Sequence, residues 1–187
     1  MVEAQIIHYL QPFSKEKQIA TAYNAAIKLL PANDWVCITD QDAMFLLPDT
    51  KAQIQDVVNS NPAIELFGCM TNRLNVAEQV VPGMFIETDI SRHIATAKRL
   101  HSENYGKHKR TRGIIAGLFM LFRVSTWQRV GGFYEPPAPF GYKFDSFFSQ
   151  KIEKKAILTG VYMFHLYRWG TNDPKSEVKH LIPDANN

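Results

Sequence analysis

The stretch that decides the fold is residues 37–47, "CITDQDAMFLL", in which a short apolar run leads into two carboxylates and a second apolar run follows. The first run predicts a buried strand, so Asp40 and Asp42 would stand at its carboxyl end. Two carboxylates this close repel each other unless a positive charge lies beside them. The pattern therefore predicts a site for Mn²⁺ or Mg²⁺, which prefer carboxylate oxygens. The alternative is a turn whose aspartates are solvated.

Strand-like and helix-like segments alternate on the amino-terminal side of this stretch. Residues 4–10, "AQIIHYL", are rich in β-favouring side chains. Residues 14–30 repeat apolar side chains at helical spacing, from a predicted N-cap at Ser14 to the break at Pro31. The order strand, helix, strand predicts a parallel pair joined by a right-handed crossover.

The alternation continues on the carboxyl-terminal side, with predicted helices at residues 50–62, 89–104, 125–131 and 143–156 and predicted strands at 64–71, 113–124 and 160–167. It predicts an α/β fold: a single domain whose mostly parallel mixed sheet is flanked by helices, with ligands at the carboxyl ends of the strands. Residues 106–112, "GKHKRTR", concentrate positive charge. They predict a solvated surface loop or, alternatively, a lid that closes over a diphosphate or an anionic acceptor.

The bulk composition excludes several classes of protein. With 187 residues, 45% of them hydrophobic and 21% charged, the chain has the size and make-up of one globular domain. The net charge of +3 is too small to predict a nucleic-acid partner. Cys37 and Cys69 have no metal-ligand spacing and are predicted to be buried thiols. The chain shows neither a signal-peptide pattern nor an apolar run long enough for a transmembrane segment, so a cytoplasmic location is expected.

A strand that ends in two aspartates also occurs in phosphatases that use an aspartate nucleophile. That motif has a Thr or Val two residues after the second aspartate, where this chain has Met44. It also needs a later pair of adjacent acids at a strand end, and the sequence contains no such pair. The phosphatase interpretation is therefore disfavoured.

Further motifs follow the two aspartates in a fixed order: Gly117 at the opening of a strand, the turn Gly131-Gly132-Phe133 with Glu135 close behind, Asp145 at a helix start and His165 at a strand end. Together with an Asn-containing helix before the aspartates, this order resembles that of inverting glycosyltransferases of the A-type fold (GT-A), family 2-like. The resemblance covers roughly residues 17–169. It makes residues 1–187 one nucleotide-diphospho-sugar transferase (GT-A) like domain: residues 1–50 form a shortened nucleotide and metal half, 51–170 an acceptor and catalytic half, and 171–187 a tail.

The resemblance implies a metal-dependent transfer, with inversion, of a hexosyl or N-acetylhexosaminyl group. The donor would be a nucleoside diphosphate sugar, UDP- or GDP-linked, and the acceptor a hydroxyl of a glycan, lipid or protein. Asp42 would bind Mn²⁺ or Mg²⁺ directly, Asp40 would bind ribose or a metal-bound water, and His165 would be the third metal contact. His165 could otherwise be an ordinary core histidine.

The remaining site residues also come from the resemblance. Asp145 would be the general base, and Glu135 is the reserve candidate because the family usually has two acids where this chain has Phe144-Asp145. The donor-binding set is Tyr9, Asn24, Asp40, Gln41 and Gly117. The acceptor-binding set is Gly131, Gly132, Phe133, Tyr134 and Trp169, with core packing as the favoured alternative for Phe133.

The chain also departs from the family in length, because the family usually has about twice as many residues before the two aspartates. A second functional hypothesis follows from this shortening. The protein would then be a non-catalytic sugar-nucleotide or glycan binding module of the same fold.

Overall fold

The computed structural model describes residues 5–12, 14–16, 18–135, 137 and 143–166. These residues form a single α/β domain in which one open sheet is flanked by helices. The strands are β1 (Ile7–Leu10), β2 (Trp35–Thr39), β3 (Ala43–Phe45), β4 (Leu66–Thr71), β5 (His108–Thr111), β6 (Phe119–Arg123) and β7 (Lys155–His165). The helices are α1 (Ile19–Ile27), α2 (Thr50–Ser60), α3 (Ile90–Asn104), α4 (Val124–Val130) and α5 (Phe144–Gln150), with a short 3₁₀ helix at Ala77–Gln79.

The sheet is mixed, with the strand order β1-β2-β6-β4-β7-β3 and with β5 also paired to β7. The predicted parallel pair of β1 and β2 around α1 is confirmed. The expectation of a mostly parallel sheet is wrong, because among the described strands only β1–β2 and β4–β7 pair in parallel. Strand β6 runs antiparallel between β2 and β4. Its sequence could not show this, since a strand buried on both faces has the same apolar pattern in either direction.

Both faces of the sheet are buried, and β2 shows why. Trp35 and Cys37 belong to one apolar cluster, whereas Val36 and Ile38 belong to another on the opposite face. Side chains alternate between faces along a strand, so a strand covered by helices on both sides becomes a continuous apolar run. Cys37 and Cys69 are fully buried free thiols, as predicted, and burial raises the pKa of each above its usual range.

Helix α3 packs against β7 at a point where the strand contains Gly160. A Cβ atom added there would overlap the backbone carbonyl of Asn104 and the side-chain amide of Gln53. Only glycine allows this close approach of helix to strand. The N-terminus of α3 is capped by Asp89, whose Oδ1 accepts the amide of Ser91 at 2.8 Å.

Several element boundaries differ from the sequence-based predictions. Helix α5 ends at Gln150 and β7 begins at Lys155, so the predicted helix at 143–156 is too long and the last strand too short. Helix α1 begins at Ile19, and Ser14 instead accepts the amide of Gln18. None of the described helices is long and apolar enough to cross a membrane.

The basic segment also differs from its predicted structure. Residues His108–Thr111 are not a loop but strand β5, which pairs antiparallel with the first part of β7. Lys109 and Arg110 point to solvent from this strand. Charged side chains on an edge strand discourage pairing with other chains. The positive charge of this segment therefore has a structural explanation that does not require a lid.

Candidate metal centre and its surroundings

Two chain segments, the turn between β2 and β3 and the end of β7, bring Asp40, Asp42 and His165 together at one edge of the sheet. Asp40 follows β2, Asp42 precedes β3, and His165 ends β7, which runs in the same direction as β2. One carboxylate oxygen of each aspartate and a ring nitrogen of the histidine lie within 4.8 Å of one another. The Oδ2 atom of Asp42 is 3.5 Å from Nε2 of His165. The structure therefore assembles the three residues that the sequence analysis assigned to a cation.

Backbone hydrogen bonds fix the turn that carries the two aspartates. The amide of Asp40 donates to the carbonyl of Leu118 at 3.2 Å, and the amide of Ala43 closes the turn onto the carbonyl of Asp40 at 3.3 Å. The carbonyl of Asp42 accepts the amide of Leu166 at 2.8 Å, next to His165. These contacts set the positions of both aspartates relative to the end of β7.

The backbone and ring of His165 are held by two residues that follow β4. Asn72 accepts the amide of His165 at its Oδ1 (2.8 Å) and donates from its Nδ2 to the carbonyl of His165 (3.0 Å). The ring Nδ1 lies 2.8 Å from the carbonyl of Arg73, and because a carbonyl only accepts, Nδ1 carries the proton. In the neutral imidazole Nε2 then presents its lone pair toward Asp42, the orientation that a metal-ligating histidine needs.

The sequence analysis did not identify Asn72 or Arg73 as site residues. Both are fully buried polar residues directly after the apolar run of β4. That position at a strand end is the same signal that drew attention to Asp40 and Asp42, so it could have identified them.

The charges at this edge raise the pKa of His165. Burial lowers the pKa, but the Asp42 carboxylate, the carbonyl of Arg73 and the charge of Asp40 together raise it by more, so the net pKa lies above that of an ordinary histidine. A bound cation would compete with this proton for Nε2, because only the neutral imidazole is a metal ligand.

Asp145 at the start of α5 is half-buried and tied to the same edge. Its Oδ2 accepts the amide of Gly117 at 2.6 Å, and its Oδ1 accepts the amide of Ser146 at 2.6 Å. Leu118, the residue after Gly117, accepts the amide of Asp40, so a single short segment links the two carboxylates. Burial raises the pKa of Asp145 above its usual range, although its hydrogen bonds oppose this.

Gly117 was predicted to bind the donor, and the structure gives it a contact with the predicted base. A Cβ atom at Gly117 would lie 3.1 Å from Oδ2 of Asp145, which is tighter than an ordinary contact. Glycine therefore allows the carboxylate to approach the backbone amide.

Glu135, the reserve base, contacts the N-terminus of α1. Its Oε2 accepts the amide of Thr21 at 2.8 Å. The first amides of a helix have no intrahelical partner, so this carboxylate stabilises the helix end and attaches the 131–135 turn to it. This structural role was not expected from the sequence.

The side-chain amide of Asn24 holds the turn formed by Gly131, Gly132 and Phe133. Its Nδ2 donates to the carbonyl of Phe133 at 2.7 Å, and its Oδ1 accepts the amide of Phe133 at 2.9 Å and the indole Nε1–H of Trp127 at 3.1 Å. Gly131 and Gly132 have φ of 85° and 73°, values that favour glycine. The contacts of Asn24 are thus with the fold itself, and its donor-binding role stays a prediction.

The predicted acceptor-binding aromatics lie in different environments. Phe133 is 3% exposed and its ring packs against Tyr23, Phe122 and Phe148, so core packing, the favoured alternative for this residue, is confirmed and its ring is not accessible to a sugar. Tyr134 is 53% exposed and meets Phe147 edge-on, so its ring remains accessible to an acceptor. Trp169 lies outside the residues that the structure describes.

The last two predicted donor residues are Gln41 and Tyr9, and they lie in different environments. Gln41 is exposed between the two aspartates. Tyr9 in β1 is half-buried, with its ring edge-on to Phe45 and the Lys51 Nζ 4.4 Å from the ring centroid. Burial raises the pKa of Tyr9 above its usual range, so its hydroxyl stays protonated at neutral pH.

Comparison with known proteins did not extend the assignment. The sequence matches no family model and no curated protein. The chemical interpretation therefore depends on the residues of this edge.

Proposed function

We propose that the protein is a metal-dependent inverting glycosyltransferase that moves a hexosyl or N-acetylhexosaminyl group from a UDP- or GDP-linked donor to an acceptor hydroxyl. The observation that carries the proposal is the convergence of Asp40, Asp42 and His165 at the carboxyl ends of β2 and β7. Ligands of open α/β sheets bind at this edge. The order of motifs around these residues resembles that of GT-A enzymes.

The donor atoms of this edge fit the proposed cation. Two carboxylates and one imidazole with its lone pair directed inward suit Mn²⁺ or Mg²⁺, with carboxylate oxygen as the dominant ligand. Such a cation would neutralise the diphosphate and the charge that develops on it as it leaves. The chain contributes the fixed positions of Asp40 and Asp42, which the turn sets before any ligand binds.

Asp145 is the proposed general base for the acceptor hydroxyl. Its carboxylate is held by the amides of Gly117 and Ser146, and the carbonyl of Leu118, next to Gly117, accepts the amide of Asp40. The raised pKa makes it a stronger proton acceptor than an exposed aspartate. Tyr134 is the acceptor-binding residue that the geometry favours, because its ring is exposed.

A second candidate function is the non-catalytic sugar-nucleotide or glycan binding module. The observation that favours it is Phe144, which occupies the place where the GT-A enzymes that the chain resembles have a second acid and which packs into the apolar core. The half-buried carboxylate of Asp145 is then the one side chain of α5 that could act as an acid or a base. This candidate keeps the cation and donor but performs no transfer.

The experiment that tests the proposal is a thermal-shift titration of the full chain with UDP and GDP sugars, with and without Mn²⁺. A ligand that binds only the folded state raises the melting temperature, by an amount that grows with its concentration over its Kd. Asp42→Asn should abolish the Mn²⁺-dependent shift. Asp49→Asn, which alters an exposed aspartate at the start of α2, is the matched control and should retain it.

Two results separate the candidates. Sugar transfer or donor hydrolysis that requires Mn²⁺ supports the transferase, whereas tight metal-dependent donor binding without turnover supports the binding module. A donor shift of the same size without Mn²⁺, or one that survives in Asp42→Asn, would contradict both.

A further inference from the structure

A cavity of about 300 Å³ opens at the edge of the sheet opposite the candidate metal centre. Its polar lining comes from Glu65, Arg123, Ser125, Thr126, Arg129 and Lys154. Arg123 pairs with the first residue of β2, and Lys154 immediately precedes β7, whereas Asp40 and His165 stand at the far ends of these two strands. The cavity is therefore separate from the proposed donor site.

The charges around this cavity do not balance. Three cations line it against one carboxylate, and that carboxylate, Glu65, is paired with Arg129 at 2.5 Å. Arg123 and Lys154 remain, and neither forms an ion pair within the residues that the structure describes. The cavity thus carries a net positive charge after its internal pair is counted.

Arg123 is the residue of this lining that most favours an anionic ligand. Its guanidinium carbon lies 4.7 Å from the centroid of the Trp35 ring, and across the described ranges it contacts no hydrogen-bond acceptor. Burial lowers the pKa of this guanidinium. A partly buried charge costs free energy unless an opposite charge or a set of acceptors compensates it, and the aromatic face supplies only part of that compensation.

We propose that this cavity binds the phosphate group of a small phosphorylated molecule. Arg123 and Lys154 would contact the phosphate oxygens, and the hydroxyls of Ser125 and Thr126 would donate further hydrogen bonds. A planar guanidinium donates to two phosphate oxygens at once, and the two hydroxyls can donate to the remaining phosphate oxygens. A carboxylate ligand has only two oxygens and could not accept all of these hydrogen bonds. The volume is at the lower end of small-molecule sites, so it fits a phosphate with a small organic body.

Isothermal titration of the full chain with inorganic phosphate and with glycerol 3-phosphate tests this proposal. EDTA in the buffer removes divalent cations, so that binding at the candidate metal centre does not contribute. Arg123→Gln and Lys154→Gln should each weaken binding about tenfold or more, the usual loss for a charge-assisted hydrogen bond. Glu65→Gln should strengthen it, because the change removes the one carboxylate that the described residues contribute to the lining.

Two control variants distinguish specific binding in the cavity from nonspecific attraction of phosphate to the positively charged protein. Lys28→Gln removes one exposed positive charge at the end of α1 and should leave binding unchanged. Asp42→Asn should also leave it unchanged, so a failure of the proposed transferase function would not imply a failure here. Lys154 is exposed, so its variant keeps the test valid even where Arg123→Gln disturbs the fold.

An experiment with lipid vesicles determines whether the phosphate belongs to a lipid headgroup or to a soluble molecule. The protein is sedimented with phosphatidylcholine vesicles that either contain or lack phosphatidic acid. If binding requires phosphatidic acid and is lost in Lys154→Gln, the occupant is a lipid headgroup. Binding of the soluble phosphates with the same variant pattern reports a free metabolite. Absence of both, or an equal loss in Lys28→Gln and Lys154→Gln, would overturn the proposal.

Discussion

The carboxyl edge of the sheet and the turn at residues 131–135 were both singled out from the sequence, yet the structure uses them differently. At the edge, the side chains of Asp40, Asp42 and His165 converge on a common space. At the turn, the side chains of Asn24 and Glu135 satisfy backbone groups of the protein itself. The edge has the geometry of a site, and the turn has the geometry of a scaffold.

This difference shows that residues singled out by the same sequence pattern can have two different roles, binding a ligand or stabilising the fold. A polar residue whose hydrogen bonds go to its own backbone contributes to the free energy of unfolding, because a buried partner would be left unsatisfied without it. A set of like charges held close together costs stability unless a positive charge, such as a bound cation or the protonated ring of His165, lies beside it. Variants at the edge should therefore change ligand binding and activity, whereas variants at the turn should change stability.

Asp145→Asn gives the largest expected effect. The amide keeps the size of the side chain but cannot accept a proton at neutral pH, so we expect transfer to slow by about 10²–10⁴-fold, the usual contribution of general base catalysis. Donor affinity should stay near that of the wild type, whereas the melting temperature should fall, because the new NH2 group would face one of the two backbone amides that the carboxylate accepts. Donor turnover with a panel of acceptors, alongside donor titration, is the measurement.

Glu135→Gln is the matched comparison for Asp145→Asn. It keeps a side-chain oxygen that can accept the amide of Thr21, so it should reduce turnover far less. If Glu135→Gln were the crippling change instead, the turn would belong to the site and the division drawn above would fail.

Phe133→Ala should have the largest effect on stability. The ring is 3% exposed and contacts several aromatic residues, so we expect a loss of about 3–5 kcal/mol in the free energy of unfolding. Tyr134→Ala, one residue later but 53% exposed, should change it by no more than about 0.5 kcal/mol. Urea unfolding of the two variants is the measurement, and similar losses would contradict the assignment of Phe133 to the core.

Asn72→Ala and Asn24→Ala compare the two regions with the same chemical change. Asn72 holds the backbone of His165, so its loss should weaken Mn²⁺ binding by about 10–100-fold, as for other residues that orient a metal ligand. Asn24 holds the turn, so its loss should lower stability without altering Mn²⁺ affinity. The paramagnetic signal of free Mn²⁺ reports affinity, and equal affinities in the two variants would remove the positioning role of Asn72.

Much of the fold could be predicted from sequence, because local patterns determine it. The parallel pair of β1 and β2 and the helices α2 and α3 follow from apolar spacing and from stops such as Pro31. Strand β3 was missed because three residues carry no periodicity, and β5 because its charged side chains indicate a loop. The direction of β6 depends on long-range pairing, which a single strand does not encode.

The candidate site was predictable to a similar extent. Asp40 and Asp42 stand out because polar residues interrupt an apolar run, and the order of motifs identified His165. Asn72 and Arg73 share that signal but lie far away in sequence, and only the folded chain shows that they hold His165. The sequence could not show whether Phe133 is buried or exposed, because a residue after a Gly-Gly turn can point either way. Only the folded chain shows that this turn directs Phe133 into the core.

The smallest expected effect concerns His93, a buried histidine outside both regions. Its Nε2 donates to the carbonyl of Glu87, and its Nδ1 accepts from the hydroxyl of Tyr162 at 2.7 Å, which requires the neutral ring. Burial lowers the pKa of His93, while the nearby Glu87 and Asp89 oppose the change and Arg73 reinforces it. The unfolded chain therefore binds a proton at a higher pH than the folded chain does.

The stability that His93 contributes is complete above the pKa of an unfolded histidine, about 6.5, and is lost as the pH falls through the lower folded value. Urea unfolding from about pH 7 down to about pH 5 should accordingly show a steeper loss of stability for the wild type than for His93→Gln. The glutamine can donate to Glu87 and accept from Tyr162 but does not titrate, and His101→Gln controls for the loss of an imidazole elsewhere on α3. Carboxylates that titrate in the same range contribute equally to all three proteins, so the difference between their slopes isolates His93. An identical slope in wild type and His93→Gln would show that the ring is protonated at equal pH in both states and that burial does not set its charge.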